Sequence, residues 1–542
     1  MTQPPWWRGA VIYEIYPRSF NDSNADGIGD LQGIVERLDY VADLGVDAIW
    51  IAPFFKSPMA DFGYDVSDYR SVDPMFGSME DFERLLARAH SLGLKVVIDQ
   101  VLSHTSSDHA WFRESRSSRD NPKADWYVWA DPKPDGTPPN NWLSIFGGVA
   151  WRWEPRRRQY YLHNFLSSQP DLNFHHPQVR SAVLDDLRFW LDKGVDGLRL
   201  DAINFCFHDP KLRDNPPKPA QLRTPRGFSP ENPYAYQYHH HNNTQPENLA
   251  FLGELRALLD CYPQVAALGE VSSEDSLATM GEYTSGKRLH MAYSFELLAD
   301  EFSADHIRNT METLERHMRE GWPCWALSNH DVRRVITRWG GAHPPPALAN
   351  QLLAMLCSMR GSACVYQGEE LGLPEADLPF HALRDPYGIA FWPNFKGRDG
   401  CRTPMPWDET PGAGFSAADS WLPIPAAHQP LCASRQRSDP HSTLNQFRAF
   451  LRWRKSQPAL LWGDVRAVDI DRQIFAIERT CTDHRIFAAF NLGSGAVEVS
   501  APALTRWQQI DSVGVVAGEL RDGLLRLPPQ SAVFAGPVMN QQ

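Results

Sequence analysis

Between residues 10 and 366, short apolar runs alternate with longer stretches whose apolar positions recur every three or four residues. The first kind suits buried strands and the second amphipathic helices. Strands are expected at residues 10–16, 47–51, 94–101, 197–201, 265–268, 290–294, 324–328 and 363–366. Helices are expected near 31–44, at 79–92 behind a Ser78 cap, at 179–193 and at 249–259. Eight strands with helices between most of them predict an α/β fold, a closed (β/α)8 TIM barrel of parallel strands. An open doubly wound sheet rarely needs so many units.

Two stretches break the alternation. Residues 103–171 are rich in Trp, Gly, Pro and Arg and show little helical periodicity, so an excursion domain after the third strand is expected. From residue 459 the pattern becomes short alternating runs with turns such as Asn491-Leu-Gly-Ser-Gly, the signature of an antiparallel β-sandwich. The expected organisation is a barrel from 1–102 and 172–458, an excursion at 103–171 and a β domain at 459–542.

Composition narrows the function. A length of 542 with 42% hydrophobic residues suits a large barrel with an appendage. A net charge of −13 without a large basic cluster argues against a nucleic-acid partner. Eight scattered Cys show no metal-ligand spacing and no disulfide pattern. No apolar run reaches transmembrane length and no signal core opens the chain, so a cytoplasmic protein without a membrane partner is expected.

The chemistry sits at the strand ends. Arg199 and Asp201, two apart on one strand, share a face. Taken alone, a structural ion pair is the lesser, competing reading. Asp99, Glu270 and Asp331, with His104 and His330, fall at or just beyond other strand ends, where barrels of this type place their catalytic groups. Carboxylates gathered on one rim repel each other, so stability does not explain them. Two carboxyls flanking one bond are what glycoside hydrolysis needs.

Several motifs carry a family resemblance: Asp99-Gln-Val-Leu-Ser-His104, Gly197-Leu-Arg-Leu-Asp201, Ala267-Leu-Gly-Glu270, Leu327-Ser-Asn-His-Asp331 and Gln169-Pro-Asp-Leu-Asn173. With Ile15-Tyr-Pro-Arg-Ser-Phe20 and Arg402-Thr-Pro-Met, they resemble the α-amylase family of glycoside hydrolases, in its α-glucosidase and oligo-1,6-glucosidase branch. The resemblance runs from about residue 6 to 540. One departure is Ser103, where the family usually has Asn.

The resemblance implies Asp201 as nucleophile, Glu270 as acid/base and Asp331 as a third carboxylate on the sugar hydroxyls. Arg199 is expected to favour ionised Asp201. Glu270 must start protonated, and Asp331 nearby is expected to hold that proton on it. Asp61 and Tyr64 match positions that bind and stack under the first sugar. Phe146 and Phe165 resemble its walls, His104 and His330 resemble hydroxyl ligands, and Arg398 rather than Arg402 is expected to face the sugar.

The segment Asp22-Ser-Asn-Ala-Asp-Gly-Ile-Gly-Asp30 places oxygens at alternate positions with a glycine sixth, as in the first part of an EF-hand loop. Gly33 stands where the twelfth-position Glu would be, and by pattern alone a solvated acidic turn is as good a reading. The family branch carries a divalent ion here, which implies Asp22, Asn24, Asp26, the Ile28 carbonyl and Asp30 as ligands of a structural Ca²⁺ or Mg²⁺. No organic cofactor is expected.

The resemblance implies a retaining, exo-acting α-glucosidase acting on short α-glucosides, with transfer to sugar or small alcohol acceptors, as a monomer or homodimer. The alternatives are an oligo-1,6-glucosidase or sucrose- or trehalose-processing transglucosylase on the same fold, and a non-catalytic relative. Ala202-Ile-Asn, in place of the Val-Ile-Asn common in 1,6-cleaving enzymes, favours α-1,4 linkages. The segment 206–250, with eight prolines and Tyr234-Ala-Tyr-Gln-Tyr238, is expected to form an ordered wall over the leaving-group side of the cleft.

Overall fold

The computed structural model describes residues 4–223, 231–511 and 513–538. Eight parallel strands close into a barrel: β1 (Val11–Ile15), β2 (Ala48–Ile51), β3 (Lys95–Val101), β4 (Gly197–Asp201), β5 (Ala266–Val271), β6 (Met291–Ser294), β7 (Trp322–Ala326) and β8 (Ser362–Tyr366). Each pairs with its sequence neighbour, and β1 pairs with β8 to shut the ring. Their residues are buried almost throughout, as strands with packed layers on both faces must be.

The helices start where the side chains can cap them. Ser78 and Asp81 form a reciprocal capping box for Met79–Ser91. Asp30 accepts the Gly33 N–H at the start of Leu31–Leu44, and that helix ends on Gly45 at φ 90°, a left-handed conformation suited to glycine. β3 ends at Val101 as expected, because Asp99, Gln100 and Val101 pair with Arg199, Leu200 and Asp201, whereas the start of β7 differs from expectation. β7 starts two residues early and carries Pro323 near its start, where a missing N–H is tolerated.

The stretch after β3 leaves the barrel and returns to it. Ser103 and Leu172 are joined by a backbone hydrogen bond, and between them strands Trp129–Ala130, Trp151–Glu154 and Gln159–Leu162 form a small antiparallel sheet. After helix Pro458–Trp462 the chain becomes antiparallel β. Ile474, Phe487 and Val533 of one sheet pack against Leu520, Leu525 and Leu527 of another, which makes a sandwich core. Among the described residues, no helix is long and apolar enough to cross a membrane.

Candidate active site

The barrel brings its charged residues together at the C-terminal ends of the strands. Arg199 is fully buried at the centre. Its Nη1 donates to Asp99 at 2.9 Å and to Asp201 at 2.8 Å, while its Nη2 reaches Glu270 at 2.7 Å. One guanidinium therefore holds carboxyls from β3, β4 and β5. Trp50 lies below it, with the guanidinium carbon 4.8 Å from the ring centroid, a cation–π contact that helps desolvate the charge. The Glu270 side chain also accepts from the Ala202 N–H and the Tyr293 hydroxyl, each at 3.0 Å.

Above this cluster an open pocket of about 830 Å³ is lined by Asp201, Glu270, Asp331, Asp61, Tyr64 and Arg398, among others. His104, Phe146 and Phe165 line it as well. His330 is fully buried behind it, its Nε2 2.6 Å from the Tyr64 hydroxyl and 3.3 Å from Asp331. Every residue expected at the sugar site thus falls in or directly behind one cavity. At its inner end Arg398 bonds Asp61 at 2.7 Å and Asp331 at 3.2 Å. Arg402 also reaches Asp331, at 2.9 Å, but is fully buried and spends its Nε on the His330 carbonyl. Arg398 is the arginine that faces the pocket.

Arg199 favours ionised Asp201 as expected, but it is outweighed. Burial pushes the Asp201 carboxyl well up, and Glu270, Asp99 and Asp331 add to the push; Arg199 opposes it but does not prevail. The cluster thus holds more carboxylate than its one central cation neutralises, which favours a proton shared among these groups. Burial raises Asp99 to about 6 in the same way, against the pull of Arg199. Asp331 goes the other way. Burial pushes it up, but His330, Arg398 and Arg402 hold it well below the usual carboxylate range. Burial lowers His330 to about 3, so at neutral pH the two guanidiniums do this work. His104, lowered to about 4 by burial, is likewise neutral. A neutral imidazole both gives and accepts one hydrogen bond, which suits a sugar hydroxyl.

Sequence reasoning missed four neighbours. Gln169, quoted only within a motif, donates to Asp61 at 3.1 Å. Tyr293 links Arg199 to Glu270. Phe205 and Phe295 add apolar lining. Only the spacing of Gln169 in its motif offered a signal; the others depend on which strands become neighbours. Ser103, the departure from the family pattern, places its hydroxyl 2.9 Å from His104 Nδ1 and supplies a partner for that ring.

The segment after β4 packs as a wall where it is described; residues 224–230, part of the expected wall, lie outside the described residues. Asn242 donates to Asn164 of the excursion at 2.8 Å, Trp142 donates to the Arg213 carbonyl at 2.8 Å, and Asn232 donates to Tyr387 at 3.0 Å. His239 stacks on Tyr234 at 3.6 Å, which accounts for one of three consecutive histidines. Tyr234, Tyr238 and His239 line a depression that shares Ser272 and Phe295 with the main pocket.

The Asp22–Asp30 loop lies apart from this pocket. Gly27 sits at φ 89°, and a Cβ there would meet the Asp419 carbonyl at 2.1 Å, so the sharp turn requires glycine. Asp22 accepts the N–H groups of Asn24, Ala25 and Gly27 and the Ser416 hydroxyl. Asp30 is occupied by Ser23 and by the helix N-terminus it caps. The donors are all oxygens, the chemistry of a hard cation. As placed, however, these carboxylates are already satisfied, and among the described residues no three His, Cys, Asp or Glu side chains converge to hold a metal ion.

Comparison with known proteins identifies the family. The α-amylase catalytic-domain model matches residues 14–463. A probable alpha-glucosidase from Rhizobium meliloti (strain 1021) is 54% identical, covering 98% of this chain and 97% of its own. An oligo-1,6-glucosidase from Heyndrickxia coagulans is 36% identical over 92% of this chain and 94% of its own. Among solved structures, the alpha-glucosyl transfer enzyme XgtA superposes with a TM-score of 0.98 at 64% identity, covering 99% of this chain and 100% of that one. The isomaltulose synthase SmuA from Protaminobacter rubrum superposes at 0.90 with 31% identity, covering 99% and 100% of the two chains. The chain is a glycoside hydrolase of the α-amylase family.

Proposed function

We propose that the protein is a retaining, exo-acting α-glucosidase that cleaves short α-1,4-glucosides from the non-reducing end and also transfers glucose to sugar or small alcohol acceptors. The observation that carries this reading is the Arg199 fork, which holds Asp201 and Glu270 on two nitrogens of one planar group. So close a pair suits the short carboxyl separation of roughly 5–5.5 Å that retention requires, rather than the wider gap that admits a water between them.

In the first step Glu270 gives its proton to the glycosidic oxygen while an Asp201 oxygen bonds the anomeric carbon, and the leaving sugar departs as an alcohol. In the second step Glu270 takes a proton from water or an acceptor hydroxyl, whose oxygen displaces Asp201. Asp331, kept anionic by Arg398 and Arg402, is placed to bind ring hydroxyls whose contacts strengthen as positive charge develops. Exo action is supported by the Asp61–Arg398–Gln169 contacts, which close the inner end of the pocket. The α-1,4 preference is supported by Ala202, a small residue on the pocket wall next to Asp201. Transfer is supported by the likeness to XgtA and by the tyrosine-lined depression beside the pocket.

A structural divalent ion at Asp22–Asp30 belongs to the same proposal, supported by the oxygen spacing and the turn at Gly27, and set against the saturated carboxylates described above. So does a cytoplasmic location as monomer or homodimer, for which eight free cysteines are the support. The deciding experiment compares initial rates on maltose, isomaltose, sucrose and trehalose, with mass mapping of the glucosyl-enzyme. Fastest turnover of maltose and a label on Asp201 support the reading; a label elsewhere or faster isomaltose turnover overturns its finer terms. Asp201→Asn, which cannot form that ester, tests the same residue.

A further inference from the structure

We propose that Glu14, on β1, is a positioning residue that shares a proton with His330 and so keeps the imidazole's Nε2–H directed at Tyr64 and Asp331. The inference rests on the reading of His330 as part of the sugar site.

The argument is a count of protons. Glu14 is completely buried at the floor of the barrel, and its Oε1 lies 2.5 Å from His330 Nδ1. At the far side of the same ring, Nε2 lies 2.6 Å from the Tyr64 oxygen. Tyr64 has one hydroxyl proton and two close neighbours, His330 Nε2 and Asp99 Oδ2, the latter at 3.0 Å. That Asp99 oxygen also receives Arg199 at 2.9 Å and Trp50 at 3.2 Å, so it acts as an acceptor throughout. The tyrosine proton therefore goes to Asp99, and the tyrosine oxygen must accept from His330. Nε2 carries the hydrogen.

A neutral imidazole with Nε2–H has a bare Nδ1, which needs a donor. Glu14 is the group facing Nδ1, and as a carboxylate it has nothing to donate. In its acid form it does, and burial away from water favours that form by pushing its carboxyl well up. Burial also disfavours the imidazolium. The second oxygen, Oε2, is buried with no hydrogen-bond partner, which a neutral carbonyl oxygen tolerates better than a charged one. Packing cannot do this job. Tyr16 and Tyr64 lie near-parallel to the imidazole with centroids at 5.8 and 5.3 Å and hold its plane, but a ring face does not distinguish the two nitrogens. The hydrogen-bond partners do distinguish them, Glu14 at Nδ1 and Tyr64 at Nε2, and the tautomer is held when both are satisfied.

The test uses Glu14→Gln and Glu14→Leu in the full chain. The Gln amide can donate to Nδ1 as the acid does, whereas Leu cannot. Glu14→Gln is expected to keep kcat/KM on maltose within a few-fold of the parent. Glu14→Leu is expected to lose it, by up to about 100-fold, mostly through kcat, because a misdirected group costs rate more than affinity. The independent readout is ¹⁵N-histidine NMR, with the His330 signals identified by their loss in His330→Asn. The parent and Glu14→Gln should show a protonated Nε2 and a bare Nδ1. Glu14→Met, measured if Glu14→Leu does not fold, should lose that pattern. A doubly protonated ring in the parent, or Glu14→Gln falling as far as Glu14→Leu, overturns the proposal. Absence of turnover on any α-glucoside by the parent would overturn the enzyme reading instead, and the NMR result would still stand on its own.

Discussion

Asp61 and Arg398, 337 positions apart in the chain, meet at 2.7 Å, both nearly inaccessible to solvent. Arg398 is charged, and its guanidinium is shared among Asp61, Asp385 and Asp331. The contact joins the loop after β2 to the segment after β8 and closes the inner end of the pocket.

Removing Asp61 opens a buried charge network, but Arg398 keeps Asp385 and Asp331, so the cost should stay below the about 3–5 kcal/mol of a fully broken buried pair. Asp61→Ala should therefore lower the melting temperature as well as kcat/KM for maltose. Asp61→Asn, which keeps the volume and one acceptor, should lose less stability but still weaken substrate binding. An unchanged KM in both variants would show that this end of the pocket does not hold sugar.

Glu270→Gln should slow substrates with poor leaving groups far more than aryl glucosides, which depart with little protonation. The expected picture is a loss of a hundredfold or more, about 10²–10⁴, on maltose and a much smaller loss in the first step on a nitrophenyl glucoside. Equal losses on both would assign Glu270 another role.

Tyr234, Tyr238 and His239 line a depression beside the main pocket, and the segment that carries them is expected to limit the room beyond the first leaving sugar. We expect kcat/KM to fall steeply from maltose to maltotriose and maltotetraose, and small alcohols to be accepted as glucosyl acceptors. Rates that stay level with chain length would show that the wall does not limit the cleft.

Asp171 gives a pH signature in stability. Burial raises its carboxyl to about 7, with the Asn164 N–H at 2.6 Å pulling the other way. Since the folded value lies above the unfolded one near 3.9, the native state binds a proton that the unfolded chain has lost. The resulting stabilisation is complete below about pH 4 and is lost as the pH rises through about 7. Asp171→Asn does not titrate, so relative to the parent its melting temperature should improve between pH 5 and 8. A difference that does not change with pH would show that Asp171 stays charged throughout.

At the Asp22–Asp30 loop, a bound divalent ion would stabilise only the folded form, so chelation should lower the melting temperature while kcat of the folded fraction changes little. Elemental analysis of the purified protein provides the complementary check. No bound ion and no shift with chelator would leave the loop as a self-capped acidic turn.

The barrel was legible because its signal is local. Gly197–Asp201 reads as a strand from its own residues, and four strand ends could be matched to carboxylates without knowing which strands become neighbours. The links between those carboxylates are not local. That Arg199 also holds Asp99, 100 residues earlier, follows from the pairing of β3 with β4, and nothing in either segment announces it. The surroundings of Asp201 are hidden for the same reason: adjacency to Arg199 is visible, whereas the burial and the three other carboxyls facing it are not. Gln169 appears in a recognisable motif, yet its contact with Asp61 depends on how the excursion folds back across the barrel.

The excursion and the segment after β4 grip each other directly, through Asn141 with Asn215, Asn164 with Asn242, and Trp142 with Arg213. Each contact pairs polar groups drawn from opposite sides of the cleft and from positions 71 to 78 residues apart. The two insertions therefore behave as a single module for protein engineering. Exchanging either one alone for a relative's version would strand amides that now satisfy each other, whereas transplanting both together would carry the interlock along with the specificity it encloses.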